Sequence, residues 1–186
     1  MKFVLSSHYQ NTPYDPYGTG TEDEKKQFRP IGINRNQELH ILQIRSDVPA
    51  EIAGVHWLAF GPNTFNAPVP FYANVNDTPD AYRKTTGECD PTAMYWLTNV
   101  LALMGDNNFG LYEDQENLFE ENTVADCRHL QMETDKVATQ QTDVSKYLES
   151  VNNQMSDVAM AYANKLLGQM LALGEPQMKL QFTLND

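Results

Sequence analysis

Two cysteines, four histidines and a deficit of basic side chains narrow the chemistry open to this 186-residue chain before any motif is sought. Cys89 and Cys127 stand far apart and form no CxxC pair, so neither a cysteine zinc site nor a disulfide framework follows. Unpaired thiols fit a reducing compartment and point to the cytoplasm. His8, His40, His56 and His129 show no HxxxH spacing, and neither a metal nor a cofactor is expected. Lysine and arginine number 13 against 25 acidic residues, a net charge of -12. Such a field repels nucleic acid and anionic membrane surfaces alike. No apolar run approaches the roughly 18 residues of a bilayer span, and the opening stretch from Phe3 to Leu5 is too short for a signal peptide.

What is present is enough apolar surface for one core: 41% of the residues are hydrophobic, as one globular domain needs. Residues 2–8 read as a strand, and a domain that opens on a strand with no lead-in suggests a chain beginning inside a larger protein. Pro, Gly and Asn make residues 10–20 a loop, followed by a solvated charge cluster from Glu22 to Lys26. Residues 38–45, 55–60 and 69–75 are strand candidates. The third contains Pro70, which belongs at a strand start or on an edge. The period then changes. Asp90-Pro91 reads as a cap with proline at the first helical position, and Met94, Leu97, Leu101 and Met104 predict a helix over 91–108. A weaker helix is predicted over 116–137. The clearest one carries Val144, Leu148, Val151, Met155, Val158, Tyr162, Leu166, Met170 and Leu173 at steps of three and four. It would run about 30 residues, or about 45 Å, before Gly174 and Pro176 stop it. Alternation of Leu180, Phe182 and Leu184 predicts a final strand over 178–184. Strands, then three helices, then one strand make an α+β chain.

The string Ser6-Ser7-His8-Tyr9-Gln10-Asn11-Thr12-Pro13-Tyr14-Asp15-Pro16-Tyr17 resembles the cysteine dipeptidases of the N-terminal-nucleophile hydrolases, the dipeptidase A and secernin-like group. Arg29-Pro30-Ile31, the run from His40 to Pro49, Trp57-Leu58-Ala59-Phe60-Gly61-Pro62-Asn63 and Val69-Pro70-Phe71-Tyr72 agree with it. The resemblance implies an αββα sandwich and hydrolysis of dipeptides by a cysteine exposed at the mature amino terminus, whose own α-amine serves as base. Residues 1 and 2 are Met and Lys, so the nucleophile-bearing half is expected to lie outside the chain. Residues 1–186 would form the C-terminal part of a single catalytic domain, inactive alone.

Within that frame His8, Tyr14, Asp15, Arg29 and Arg45 are the substrate-binding candidates. Tyrosine-dense loops on a sheet edge supply rigid contact surface. An arginine fork matches a substrate carboxylate, and Asp15 suits a free ammonium, although an Asx-turn uses the same residue. Arg29 and Arg45 share the carboxylate assignment, each weighed against an ordinary salt bridge. Glu88 and Asp90 flank Cys89 with negative charge, which argues against a nucleophile there. Cys127 reads as helix core, and His40 and His56 read as structural. A half-sandwich leaves a sheet face open, so a homo-oligomer is expected. The competing reading is a non-catalytic α+β interaction module built on the long amphipathic helix.

Overall fold

The structure, a computed structural model, describes residues 20–25 and 36–178. The segment 2–19, Arg29 and residues 179–184, with the first and last strands expected above, lie outside the described residues. The chain is α+β, a small antiparallel sheet against a larger helical layer. The described elements are α1 (Glu22–Lys25), β1 (Glu38–Ile44), α2 (Ala50–Ala53), β2 (Gly54–Phe60), β3 (Val69–Tyr72), α3 (Asp80–Arg83), α4 (Met94–Asn107), α5 (Phe109–Val137) and α6 (Val144–Gly174).

The acidic cluster is a short helix rather than plain solvated chain. Thr21 Oγ1 accepts from the Glu24 amide at 3.3 Å, and Glu24 Oε2 accepts from the Thr21 amide at 2.8 Å. This is a capping box, which satisfies amides at the helix start reciprocally.

The three strands form a meander in the order β1-β2-β3. Glu38 pairs with Phe60 and Leu42 with His56 across the first ladder; Trp57 pairs with Pro70 across the second. Along β1 every second residue is exposed, the period-two signature of a strand with one open face. β3 is buried throughout and forms the other edge of the described sheet, which is where Pro70 can be tolerated. That edge is closed by a side chain. Asn152 of α6 accepts from the Tyr72 amide at 2.9 Å and donates to the Tyr72 carbonyl at 3.0 Å. One buried amide thus stands in for a neighbouring strand. Pro70 lies two residues before Tyr72, so its nitrogen faces the same edge and removes no ladder bond.

The long helices α5 and α6 are joined by a short turn and pack along one another, a helical hairpin. Asp143 caps α6, accepting from the Lys146 amide at 3.0 Å. Leu148, Val151, Met155, Ala159, Ala163, Leu166 and Met170 of α6 are buried, together with Leu97 and Leu101 of α4 and Ile52, Val69 and Tyr72 from the sheet region.

Two helix boundaries differ from the sequence expectation, and a third agrees. α4 begins at Met94 rather than Pro91 because the Asp90 carboxylate is engaged in a turn, accepting from Thr92 N at 2.9 Å and Thr92 Oγ1 at 2.6 Å. α5 begins seven residues before position 116, since Phe109 and Tyr112 continue its buried stripe. Gly174 ends α6 in a helical conformation; its hydrogen is needed because a Cβ there would lie 2.5 Å from Tyr112 Oη.

Candidate functional site

Arg45 is the one substrate-binding candidate among the described residues. It follows β1, and its guanidinium is turned into the protein. Nη1 donates to Asp135 Oδ2 at 2.5 Å and Nη2 to Asp135 Oδ1 at 3.1 Å. Nη2 also donates to the Ile52 carbonyl. The Arg45 side chain is only 10% exposed and Asp135 21%. Its carbon Cζ lies 5.7 Å from the Tyr72 ring centre. Tyr72 donates through its hydroxyl to Asp135 Oδ1 at 2.7 Å, with the Gln131 carbonyl at 3.0 Å. Burial opposes the arginine charge, but the Asp135 bonds and charge outweigh it and hold the guanidinium above its ordinary value. Burial, the larger cause, and then the Asp135 bond push the Tyr72 phenol up. A bidentate pair of this geometry clamps β1 and β3 onto α5. His8, Tyr14, Asp15 and Arg29 lie outside the described residues.

A groove of about 670 Å³ opens beside the turn that follows β2 and the outer side of α4, with Pro62, Thr64, Phe65, Cys89, Trp96 and Asn99 in its wall. Gly61 makes the turn possible: it holds φ of 86°, and a Cβ there would meet Thr98 Oγ1 at 2.2 Å, a backbone and a space open to glycine alone. Asn63 stands in the chain between Pro62 and Thr64 of that wall. It is 1% exposed, and neither its Oδ1 nor its Nδ2 has a hydrogen-bond partner. An unsatisfied buried amide costs about 1–3 kcal/mol and is retained only where something compensates. Sequence reading quoted Asn63 within a motif without singling it out. The tight Gly-Pro turn before it was its only local signal.

The two cysteines are unpaired. Cys127 is fully buried on α5, its thiol 3.6 Å from the Met155 carbonyl, and burial, aided by Asp126, pushes it up to about 12. It is therefore a protonated packing group at neutral pH. Cys89 is exposed on the groove wall.

On the open face of the sheet, His40 Nδ1 lies 2.7 Å from Glu38 Oε1. The His40 and His56 rings sit 5.5 Å apart, edge to face at 80°. Burial, then the nearby His40, lowers His56 from its ordinary value. The sequence treats these histidines as unrelated, sixteen positions apart, and the β1–β2 register brings them together. His129 is exposed on α5 and takes no part in this group. Among the described residues no helix is long and apolar enough to cross a membrane.

Comparison with known proteins places these observations. Over its whole length the chain is 53% identical to Probable dipeptidase B of Lactococcus lactis and 49% identical to Dipeptidase A of Lactobacillus helveticus. A Bifidobacterium longum Dipeptidase is 39% identical over 73% of the chain and 26% of its own length. The chain spans 40% of the length of each of the first two relatives. The model of peptidase family C69 matches residues 1–122, which cover the sheet, the glycine turn and the groove-lining helix, and the chain belongs to that family.

Proposed function

We propose that this chain is the C-terminal part of a dipeptidase catalytic domain, supplying one wall of a cleft and the helical layer behind it. The observation that carries this reading is the similarity to named dipeptidases along the entire chain, 53% and 49%. In this reading the substrate is a free dipeptide, and the peptide bond is broken by a cysteine thiolate from elsewhere in the whole protein. Cys127 is unsuited to that role because its thiol is buried and raised to about 12. The enzyme is a four-layered αββα N-terminal-nucleophile sandwich to which β1, β2 and β3 contribute part of one sheet. The loop 8–17 and Arg29 form the substrate wall. Arg45 is already bidentate to Asp135, so the dipeptide carboxylate falls to Arg29, with Asp15 receiving the ammonium and His8 and Tyr14 the rest of the wall.

The interaction-module reading rests on a free apolar helix face. That stripe of α6 is instead inside: Leu148, Met155 and Met170 are 0% exposed. The test is hydrolysis of a panel of free dipeptides by the chain alone and by the whole protein that carries it. The expected result is amino acid release by the whole protein only, reduced about ten- to a hundredfold in kcat/KM by Arg29→Met, the loss of one charge-assisted bond. Turnover by the isolated chain that survives alkylation of Cys89 would sink this assignment.

A further inference from the structure

The group Glu38, His40 and His56 has a geometry that neither a structural ion pair nor the dipeptidase reading uses. Each side chain offers one ligand atom, and the three atoms lie within 4.8 Å of one another. Glu38 and His40 sit two apart on β1 and so share a face. His56 on β2 pairs with Leu42, which puts it diagonal to His40 on that same face. A hydrogen bond from His40 to Glu38 accounts for two of the three residues and leaves the second imidazole, edge-on at 5.5 Å, outside that bond with its ligand atom close to both. We propose that these three side chains form a binding site for one divalent transition cation of the zinc class.

The donor set selects the ion. Two imidazoles and one carboxylate are the ligands of zinc and its neighbours, whereas magnesium and calcium demand oxygen. Tetrahedral bonds of about 2.0–2.1 Å place ligand atoms about 3.3 Å apart. His40 Nδ1 and Glu38 Oε1 already stand 2.7 Å apart, and the widest donor gap, at most 4.8 Å, must close by up to about 1.5 Å, within reach of side-chain torsion adjustment at exposed positions. His40 and Glu38 are 52% and 45% exposed and are free to make that movement, while the half-buried His56 holds its place. Three protein ligands leave the fourth position to water or to an incoming group, as in open zinc sites. The net charge of -12 draws cations toward the surface. Sequence spacing could not reveal the site, because its ligands are joined by strand register and not by a local motif.

The test is calorimetric titration of the chelator-stripped chain with zinc chloride, and in parallel with magnesium chloride, in a non-coordinating buffer. One saturable zinc site per chain is expected, with no magnesium binding at the same concentrations. His40→Gln and His56→Gln should each weaken zinc about 100-fold or more, since even an outer-shell partner is worth 10–100-fold. His129→Gln should leave it unchanged. A cobalt titration reads the ligands directly: the visible absorption of tetrahedral cobalt should appear with the native chain and vanish with Glu38→Gln. Far-UV circular dichroism confirms that each variant is folded. No saturable zinc binding, equal affinity for magnesium, or undiminished binding by the folded His40→Gln/His56→Gln double variant overturns the proposal. Retained cobalt absorption in Glu38→Gln removes the carboxylate and overturns the three-ligand site.

Discussion

Arg45→Met separates a stability role from a substrate role. The variant keeps most of the apolar stem and deletes the fork, leaving Asp135 beside Tyr72 with a single hydroxyl donor at 2.7 Å. Removing one partner of a fully buried pair costs about 3–5 kcal/mol, because the other charge is stranded. Asp135 is 21% exposed and keeps the tyrosine bond, so the expected loss is smaller, about 2–4 kcal/mol. For a chain of this size that is roughly 4–16 °C in Tm. Removing both charges tests the reasoning. In Arg45→Met/Asp135→Leu no charge is left unpaired, and Tyr72 can still donate to the Gln131 carbonyl at 3.0 Å. That double variant should recover to within about 1 kcal/mol of the parent, because an apolar replacement of a buried pair is near neutral. The measurement is urea unfolding followed by circular dichroism at constant m-value, closed as a double-mutant cycle. If Arg45→Met unfolds within about 0.5 kcal/mol of the parent, or the cycle shows no coupling, the clamp is energetically empty. A raised KM for dipeptides in the whole protein at unchanged stability would return Arg45 to the substrate.

Iodoacetamide should label Cys89 in the folded chain and Cys127 only after denaturation, since Cys127 is buried with its thiol up near 12; equal labelling of both in the native state contradicts this. A thiol raised in the folded state contributes stability present below its unfolded value, about 9, and lost as pH climbs toward 12. Cys127→Ala should therefore flatten the alkaline fall in stability by up to about 1.4 kcal/mol per pH unit. Gly105→Ala drives a Cβ to 1.8 Å from Phe65 Cζ and should cost about 1–3 kcal/mol by overpacking. Gly168→Ala has open space around its Cβ and should gain about 0.5–1 kcal/mol; a stabilising Gly105→Ala in thermal melts would show that Phe65 does not rest on that helix. Asn63→Leu removes an unsatisfied buried amide and should raise stability by about 1–3 kcal/mol. If the amide is kept for function, the same change lowers dipeptide turnover in the whole protein, and a loss of stability instead would mean that Asn63 is satisfied after all.

The elements with one chemical period were legible and those with mixed chemistry were not. α6 steps through Leu148, Val151, Met155, Leu166 and Met170, all buried, and its start and its last residue match the sequence reading. The β strands announced themselves by aliphatic content, and the turn after Phe60 by Gly61-Pro62. α5 was seen late and faintly because half of its buried face is polar. Glu116, Thr123, Gln131 and Thr134 alternate with Phe109, Tyr112, Phe119 and Cys127 on the inner side. A hydrophobic-periodicity argument counts those four against the helix, yet they are inside because α5 meets other helices and strands through polar as well as apolar contacts. Asp90 was misplaced for the opposite reason: the local rule for a cap was satisfied, but its carboxylate had a nearer use two residues on.

Side-chain partners at long range are the layer that a single sequence leaves unreadable. Arg45 could be ranked as a carboxylate ligand or as half of a salt bridge. The deciding residue stands ninety positions away on α5, and no pattern near either one names the other. Asn152 is the same case in neutral form. In the sequence it interrupts an apolar stripe as a helix-surface amide would; in the fold it is 2% exposed and closes the β3 edge eighty residues earlier. These two contacts do more than add stability. Both reach across from the helical hairpin to the sheet, and the Asn152–Tyr72 pair, with the Tyr72–Asp135 bond beside Arg45, requires one register of β3 against the helices. A shift of β3 by one residue would replace Tyr72 by Phe71 or Ala73 at Asn152, and neither of those side chains can donate to Asp135. Apolar packing tolerates such sliding far better than paired polar groups do. The polar interior of α5 and α6 thus helps to fix the sheet in place, and with it the turn after β2 that sets Pro62 and Thr64 in the groove wall and Asn63 buried between them in the chain.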